Sequence, residues 1–288
     1  MLPLDDRVVR PTEVTTGVPL GFPEGSMSTD LFSSLRSTTV SRLRSAGCVF
    51  AEDEAELLFS SAADGEELET MIERRAAGLP IEHVVGWAAF AGLRVTVDPG
   101  VFVPRRRTEF LVEHAVGLAR PGALCVDLCC GSGAAGAVLL SAVQGAEVYA
   151  SDIEPAAVRC ARRNVEPRGG RVFEGDLFAA LPDVLRGRVE VLVANVPYVP
   201  TEDVALLPPE AREHEPLVAL DGGSDGLDVL RRVAAEAADW LAPGGHMLVE
   251  TSERQAARAV ETLSGNGLTP RVVTSEELYA TVVVATRR

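Results

Sequence analysis

From residue 105 onward, apolar runs of strand length alternate with helical stretches. The runs are "ALCVDL", "AEVYASD", "RVFEGD", "VEVLVAN" and "GHMLVE". No other feature limits the possible folds as strongly. Strands separated by helices build a parallel sheet covered by helices on both faces. Such α/β sheets bind ligands outside the carboxyl ends of their strands, so those ends are where chemistry is to be sought. The last stretch, "PRVVTSEELYATVVVATRR", has two β-rich runs about a short polar turn and predicts a closing hairpin.

The segments ahead of this region differ in texture. Residues 1–26 are rich in Pro, Gly and Thr without periodicity and are expected to form a flexible tail, with "MSTDLF" at Met27 as an alternative start. Residues 27–88 carry apolar positions at helical spacing (Leu31, Leu35, Val40, Leu43, then Leu57, Leu58, then Leu68, Met71, Ile72) and predict a small helical domain. Residues 89–104, with the alternation of "GLRVTVDPG", are expected to be a β-hairpin connector to a domain spanning 105–288.

Composition removes several function classes. A formal net charge of −15 opposes broad phosphate binding, which relies on cations displacing condensed counterions, so no direct nucleic-acid partner is expected. No apolar run reaches the ~18–20 residues of a membrane span, and the acidic N-terminus is no secretory signal; a cytoplasmic protein is expected. Five cysteines without a repeated C-x-x-C pattern imply reduced thiols, with no metal. No long apolar stripe is left over once the core positions are assigned, so a monomer is expected.

Four strand ends carry the candidate site. "VDLCCGSGAAG" passes from strand to helix through Gly131, Ser132 and Gly133, where backbone amides can approach an anionic group. The next strand ends in Asp152, 25 residues after Asp127, where an acid can accept both ribose hydroxyls of a nucleoside or cap the helix near Pro155. The third ends in "GDLF": Asp176 can accept from an exocyclic amine or cap a turn, and Leu177 can lie on an adenine face. The fourth ends in Asn195, followed by Val196, Pro197 and Tyr198. Together these imply a nucleoside cofactor along one edge of the sheet. The absent third glycine of the dinucleotide fingerprint points away from NAD.

In this order the motifs "DLCCGSG", "SDIEPAAVRCARRN", "EGDLF" and "VANVPY" resemble those of class I (Rossmann-like) S-adenosylmethionine-dependent methyltransferases. More narrowly, the chain resembles the HemK/PrmC protein-(glutamine-N5) methyltransferases, which modify the Gly-Gly-Gln loop of peptide-chain release factors. That resemblance also rests on "RRAAGLPIEHVVGWAAFAGLRVTVDPGVFVPRRRTEFLVE", "EHEPLVALDGGSDGLDVLRR" and "LVETSERQ", and runs from about residue 30 to the end. It implies S-adenosylmethionine held by Thr108, Asp127, Cys129, Gly131, Ser132, Gly133, Asp152, Ile153, Asp176, Leu177 and Asn195. It also implies a protein substrate docked by the helical domain.

The same resemblance suggests how the turn acts. A side-chain amide is a poor nucleophile, so its nitrogen must be held in line with the methyl group. The Asn195 side-chain oxygen and the Val196 carbonyl would each accept one N–H. Tyr198 would cover the amide plane, Phe102 would close its far side, and Pro197 would stiffen the turn through its fixed φ. Glu215 and Glu250 are expected to brace loops.

Three departures point to a paralogous branch. The family's N-P-P-Y is Asn195-Val196-Pro197-Tyr198; its P-R-P-E-T-E is Pro104-Arg105-Arg106-Arg107-Thr108-Glu109; and Cys129 stands at a loop glycine. Two further readings share the turn: an adenine N6 or guanine N2 amino-methyltransferase, and a cofactor-binding paralogue without catalysis.

Overall fold

The computed structural model describes residues 29–288, with side chains from Phe32; the tail expected over 1–26 lies outside the described residues. The chain divides into two compact units between Ala77 and Gly78, ahead of the boundary expected at 88.

The first unit is three helices, α1 (Thr29–Ser45), α2 (Ala51–Ser61) and α3 (Gly65–Ala76). Leu43, Leu58, Phe59, Leu68 and Ile72 are buried between them. The N-terminus of α3 is fixed chemically: Asp64 accepts from the Glu67 amide at 2.9 Å, while Glu67 reaches back to the Ala63 amide at 2.7 Å. Two orphan donors of a helix start are thereby satisfied. The buried Arg75 is neutralised by Glu54, its Nε donating at 2.6 Å.

The second unit opens with the short helix α4 (Ile81–Val85) and the antiparallel hairpin β1 (Trp87–Phe90) and β2 (Leu93–Thr96). This is the expected connector hairpin, beginning slightly earlier and belonging to the second unit. Then follow α5 (Thr108–Leu118), β3 (Leu124–Leu128), α6 (Ala134–Ala142), β4 (Glu147–Asp152), α7 (Pro155–Val165), β5 (Arg171–Glu174) and β6 (Val189–Ala194). The remainder is α8 (Pro209–His214), α9 (Asp228–Trp240), β7 (Leu241–Thr251), α10 (Ala256–Gly265), β8 (Leu268–Ser275) and β9 (Ala280–Arg287). β3 to β9 form one seven-stranded sheet in the order β5-β4-β3-β6-β7-β9-β8. β3 to β7 are mutually parallel, and β9 pairs antiparallel with both β7 and β8, which gives the expected closing hairpin.

Side-chain alternation along the central strands explains why both faces are covered. Val126, Leu128, Leu192, Met247 and Val249 face one core with Leu230, Val233 and Trp240 of α9 and Leu263 of α10. Cys125, Val191, Val193 and Leu248 face the other, with Leu111 and Ala115 of α5 and Leu139 of α6. The strand order changes direction at β3, between β4 and β6, so the crevice for a ligand opens above β3. Among the described residues no helix is long and apolar enough to cross a membrane.

Candidate active site

The loop after β3 is built on left-handed backbone at Cys129, Gly131 and Gly133, with φ of 54°, 54° and 75°. Glycine adopts this region freely; Cys129 does so against the Cβ penalty. Gly133 is needed for space as well, because a Cβ there would lie 2.8 Å from Val165 on α7. Asp127 is buried beneath the loop and accepts from the Gly136 amide in the first turn of α6 at 2.9 Å. Burial pushes its carboxyl up to about 7, the Gly136 hydrogen bond opposing and the nearby Asp152 adding to the rise. Asp127 thus holds the loop from below. Ser132 is buried too, and its carbonyl accepts from the Asn164 side chain at 2.8 Å.

Asp152, at the end of β4, spends one oxygen on the Gly131 amide (2.8 Å) and the other on the Glu154 amide (2.9 Å). The cap of α7 is Glu154 and not Asp152, since the Glu154 side chain accepts from Ala156. Desolvation raises the Asp152 carboxyl above its ordinary range, opposed by those backbone donors. Ile153 beside it is 53% exposed and offers a flat apolar surface at the strand end. Leu177, expected on an adenine face, is buried against the main core at φ 48°, and Ile153 is the more open apolar side chain of the two. Asp176 makes no capping bond, and one of its oxygens pairs with Arg232 of α9. Thr108 opens α5 with its Oγ1 buried and unpartnered.

The fourth strand end carries the most specific signal. The Asn195 Oδ1 is buried and has no hydrogen-bond partner. A stranded acceptor costs about 1–3 kcal/mol unless a donor from outside the chain meets it. Val196 packs into the core below the turn. Pro197 is also buried, and a Cβ on Gly222 would lie 2.6 Å from its carbonyl oxygen. The Tyr198 hydroxyl donates to Glu250 at the end of β7 (2.7 Å), and its carbonyl accepts from Gln255 (2.8 Å). Gln255 also donates to the Asp225 carbonyl, tying the "DGGSDG" loop to the turn. Tyr198 is therefore clamped at both ends. Phe102 sits against Gly131, 3.9 Å from a Cβ placed there, with the Arg105 guanidinium 4.9 Å above its ring. The Arg105 Nη2 lies 2.6 Å from both oxygens of buried Glu215.

Glu215 and Glu250 thus brace loops as expected, through Arg105 and Tyr198. Two residues without an assigned role in the sequence matter as much. Asn164 bonds Ser132 and, through both ends of its amide, the backbone of Thr96 in β2 (2.8 and 2.9 Å). A lone amide on the apolar face of α7 was the available signal. Gln255 lay in plain view in "LVETSERQ", but nothing local reveals that it reaches Tyr198.

The donors present fit S-adenosylmethionine: a left-handed Gly loop for the methionine end, a strand-end acid with an open apolar neighbour for the nucleoside, and a stranded acceptor beside them. Residues 92–206 match the family model described as Methyltransferase small domain. A methyltransferase structure from Pyrococcus furiosus superposes with a TM-score of 0.52 at 17% identity, covering 68% of this chain and 89% of that one. Fold and site together define a class I S-adenosylmethionine-dependent methyltransferase. Among curated proteins, the release factor glutamine methyltransferase of Geobacter sulfurreducens is 39% identical over 214 residues, 73% of this chain and 74% of the relative. A 4-amino-L-phenylalanine/4-methylamino-L-phenylalanine methyltransferase of Streptomyces pristinaespiralis is 39% identical over 193 residues, 65% of each chain. The chain belongs to the release factor glutamine methyltransferase family.

Proposed function

We propose that this chain methylates the side-chain amide nitrogen (N5) of a protein glutamine, in the Gly-Gly-Gln loop of a release factor. The observation that carries the reading is the unpartnered Asn195 Oδ1 beside the clamped Tyr198. S-adenosylmethionine, when bound, supplies a methyl group made electrophilic by its sulfonium. Thr108, Asp127, Cys129, Gly131, Ser132, Gly133, Asp152, Ile153, Asp176 and Leu177 form or support its site.

The chain's own residues do the rest by orientation. Asn195 accepts one N–H of the target and the Val196 carbonyl the other, which fixes the nitrogen with its face toward the methyl donor. Tyr198, unable to swing away, covers the amide plane, and Phe102 bounds the pocket on the Gly131 side. Positioning of this kind supplies roughly 7–11 kcal/mol of barrier reduction at best. The helical unit docks the protein acceptor; Val49 and Phe50, 81% and 68% exposed between α1 and α2, suit that task.

The test is methyl transfer from labelled S-adenosylmethionine to purified release factor, to its Gln-to-Ala loop variant, and to extract with and without nuclease treatment. Label that requires both the loop glutamine and Asn195 is expected. Asn195→Ala should lower kcat by on the order of 10²–10³, as loss of one preorganised polar contact does elsewhere. Nuclease-sensitive label would instead indicate a nucleic-acid amine, and its absence everywhere a non-catalytic paralogue. A second reading, the aryl amine of a free amino acid as in the Streptomyces relative, is favoured by one observation, the cation at Arg107.

A further inference from the structure

Arg107 stands where the family motif carries an acid, so the charge at this position is reversed. Its Nε donates to Glu250 Oε1 at 2.9 Å, the same oxygen that holds the Tyr198 hydroxyl. Its guanidinium carbon lies 5.7 Å from the centre of the Tyr198 ring. The side chain is 46% exposed although Glu250 is almost wholly buried. The Nη1 and Nη2 groups have no carboxylate partner among the described residues. Anything lying on the Tyr198 ring therefore lies beside a planar cation whose Nε is committed to Glu250 and whose Nη groups have no carboxylate of their own among the described residues. Arg106 next to it is exposed and has no partner among the described residues, while Arg105 is matched by Glu215. In a chain of net charge −15, the lip of the acceptor turn is thus locally cationic.

We propose that Arg107 is a specificity-determining residue of the methyl-acceptor site, selecting acceptors that carry a carboxylate near the methylated nitrogen. The guanidinium fork matches carboxylate geometry and keeps its charge at every working pH. Glu250 fixes the fork and Tyr198 in one arrangement, so the carboxylate and the NH2 group of an acceptor are read together. The carboxylate comes from one of two sources: an acidic residue beside the target glutamine, or the main-chain carboxylate of a free amino acid with an aryl amine. The inference rests on the methyl-transfer reading of the turn.

The experiment measures kcat/KM for two matched pairs of acceptors. One pair is a Gly-Gly-Gln peptide with Glu or Gln flanking the target; the other is 4-amino-L-phenylalanine and its carboxamide. Wild type is expected to favour the carboxylate member of at least one pair about tenfold or more, the worth of one charge-assisted hydrogen bond. The responding pair identifies the source. Arg107→Gln should erase the preference and Arg107→Glu should reverse it, with the S-adenosylmethionine Kd of both variants unchanged. The Gln variant keeps the test valid should a second acid beside Glu250 unfold the chain. Equal rates within both pairs, a preference that survives Arg107→Gln, or no transfer to any of the four acceptors would overturn the inference. Transfer to the Gly-Gly-Gln peptides with no charge preference in either pair would leave the proposed function standing and remove only Arg107's role; transfer confined to the amino acid pair, with a charge preference, would do the reverse.

Discussion

Asn195, Tyr198 and Asp127 stand for three ways in which a single residue commits itself. Asn195 leaves a buried acceptor unspent, a cost that the proposed reading offsets with an N–H of the methyl acceptor. Tyr198 spends its hydroxyl on Glu250, whose oxygen is shared with Arg107, while its ring remains available. Tyr198→Phe keeps the ring and removes one donor from that oxygen. We expect a loss of about 1 kcal/mol in stability and a several-fold fall in kcat, read from urea midpoints and labelled transfer; a fall as large as that of Asn195→Ala would mean that the hydroxyl itself meets substrate. Asp127 is buried at the cost of its charge. Its carboxyl, ordinarily near 3.8, is raised to about 7, so the folded chain holds this proton over a window where the unfolded chain has lost it. Stability from this group is therefore greatest at low pH and declines as pH rises from about 4 to about 7. Asp127→Asn preserves the acceptor for Gly136 and should flatten that part of the stability profile, measured as melting temperature against pH. An unchanged slope would place the proton elsewhere.

At the scale of elements, the site is a meeting of loops that only the sheet brings together. The turn after β6 is held by the segment 221–226 and by Gln255 ahead of α10. Val199 bonds the Leu220 carbonyl at 3.1 Å, and the Gly222 amide returns to the Val199 carbonyl at 2.8 Å. Gly226 has φ 75°, and a Cβ on it would overlap the Tyr198 carbonyl and the Gln255 amide. Gly226→Ala should therefore cost about 1–3 kcal/mol and also depress kcat by displacing Tyr198. Gly244→Ala has a similar φ of 78° but nothing within 4 Å; it should lose stability alone. A matching fall in kcat for both would show that strain, not contact with the turn, is responsible. This division also explains what was legible in the sequence. Strands, the Gly loop and the acid at Asp152 follow from local pattern and were readable. The residues that lock them were less so, because Asn164 acts on Thr96 across 68 positions and Glu250 on Tyr198 across 52. Two details were not legible locally: Glu154, two residues nearer the helix than Asp152, caps α7, and Leu177 has a left-handed backbone that no hydropathy pattern signals.

For the whole molecule, the chain divides at Ala77/Gly78, and under the proposed reading the first unit would recognise the protein acceptor while the second reacts. Each unit has its own core: Leu43, Leu58, Leu68 and Ile72 in the first, and the two faces of the seven-stranded sheet in the second. All the residues assigned to cofactor and acceptor nitrogen, from Phe102 to Tyr198, belong to the second unit, as do Glu215, Glu250 and Gln255. A fragment beginning at Gly78 should then fold cooperatively, since the hairpin, the sheet and its covering helices are all retained. It should bind S-adenosylmethionine with the Kd of the full chain and still methylate a short acceptor. Toward a whole release factor, its KM should rise by about tenfold or more, because the docking energy contributed by α1 to α3 is lost while the oriented turn is not. Kinetics of fragment and full chain on the two acceptors test this directly: an equal loss on both would mean that the helices support the fold, and no loss on either would deny them a part in docking.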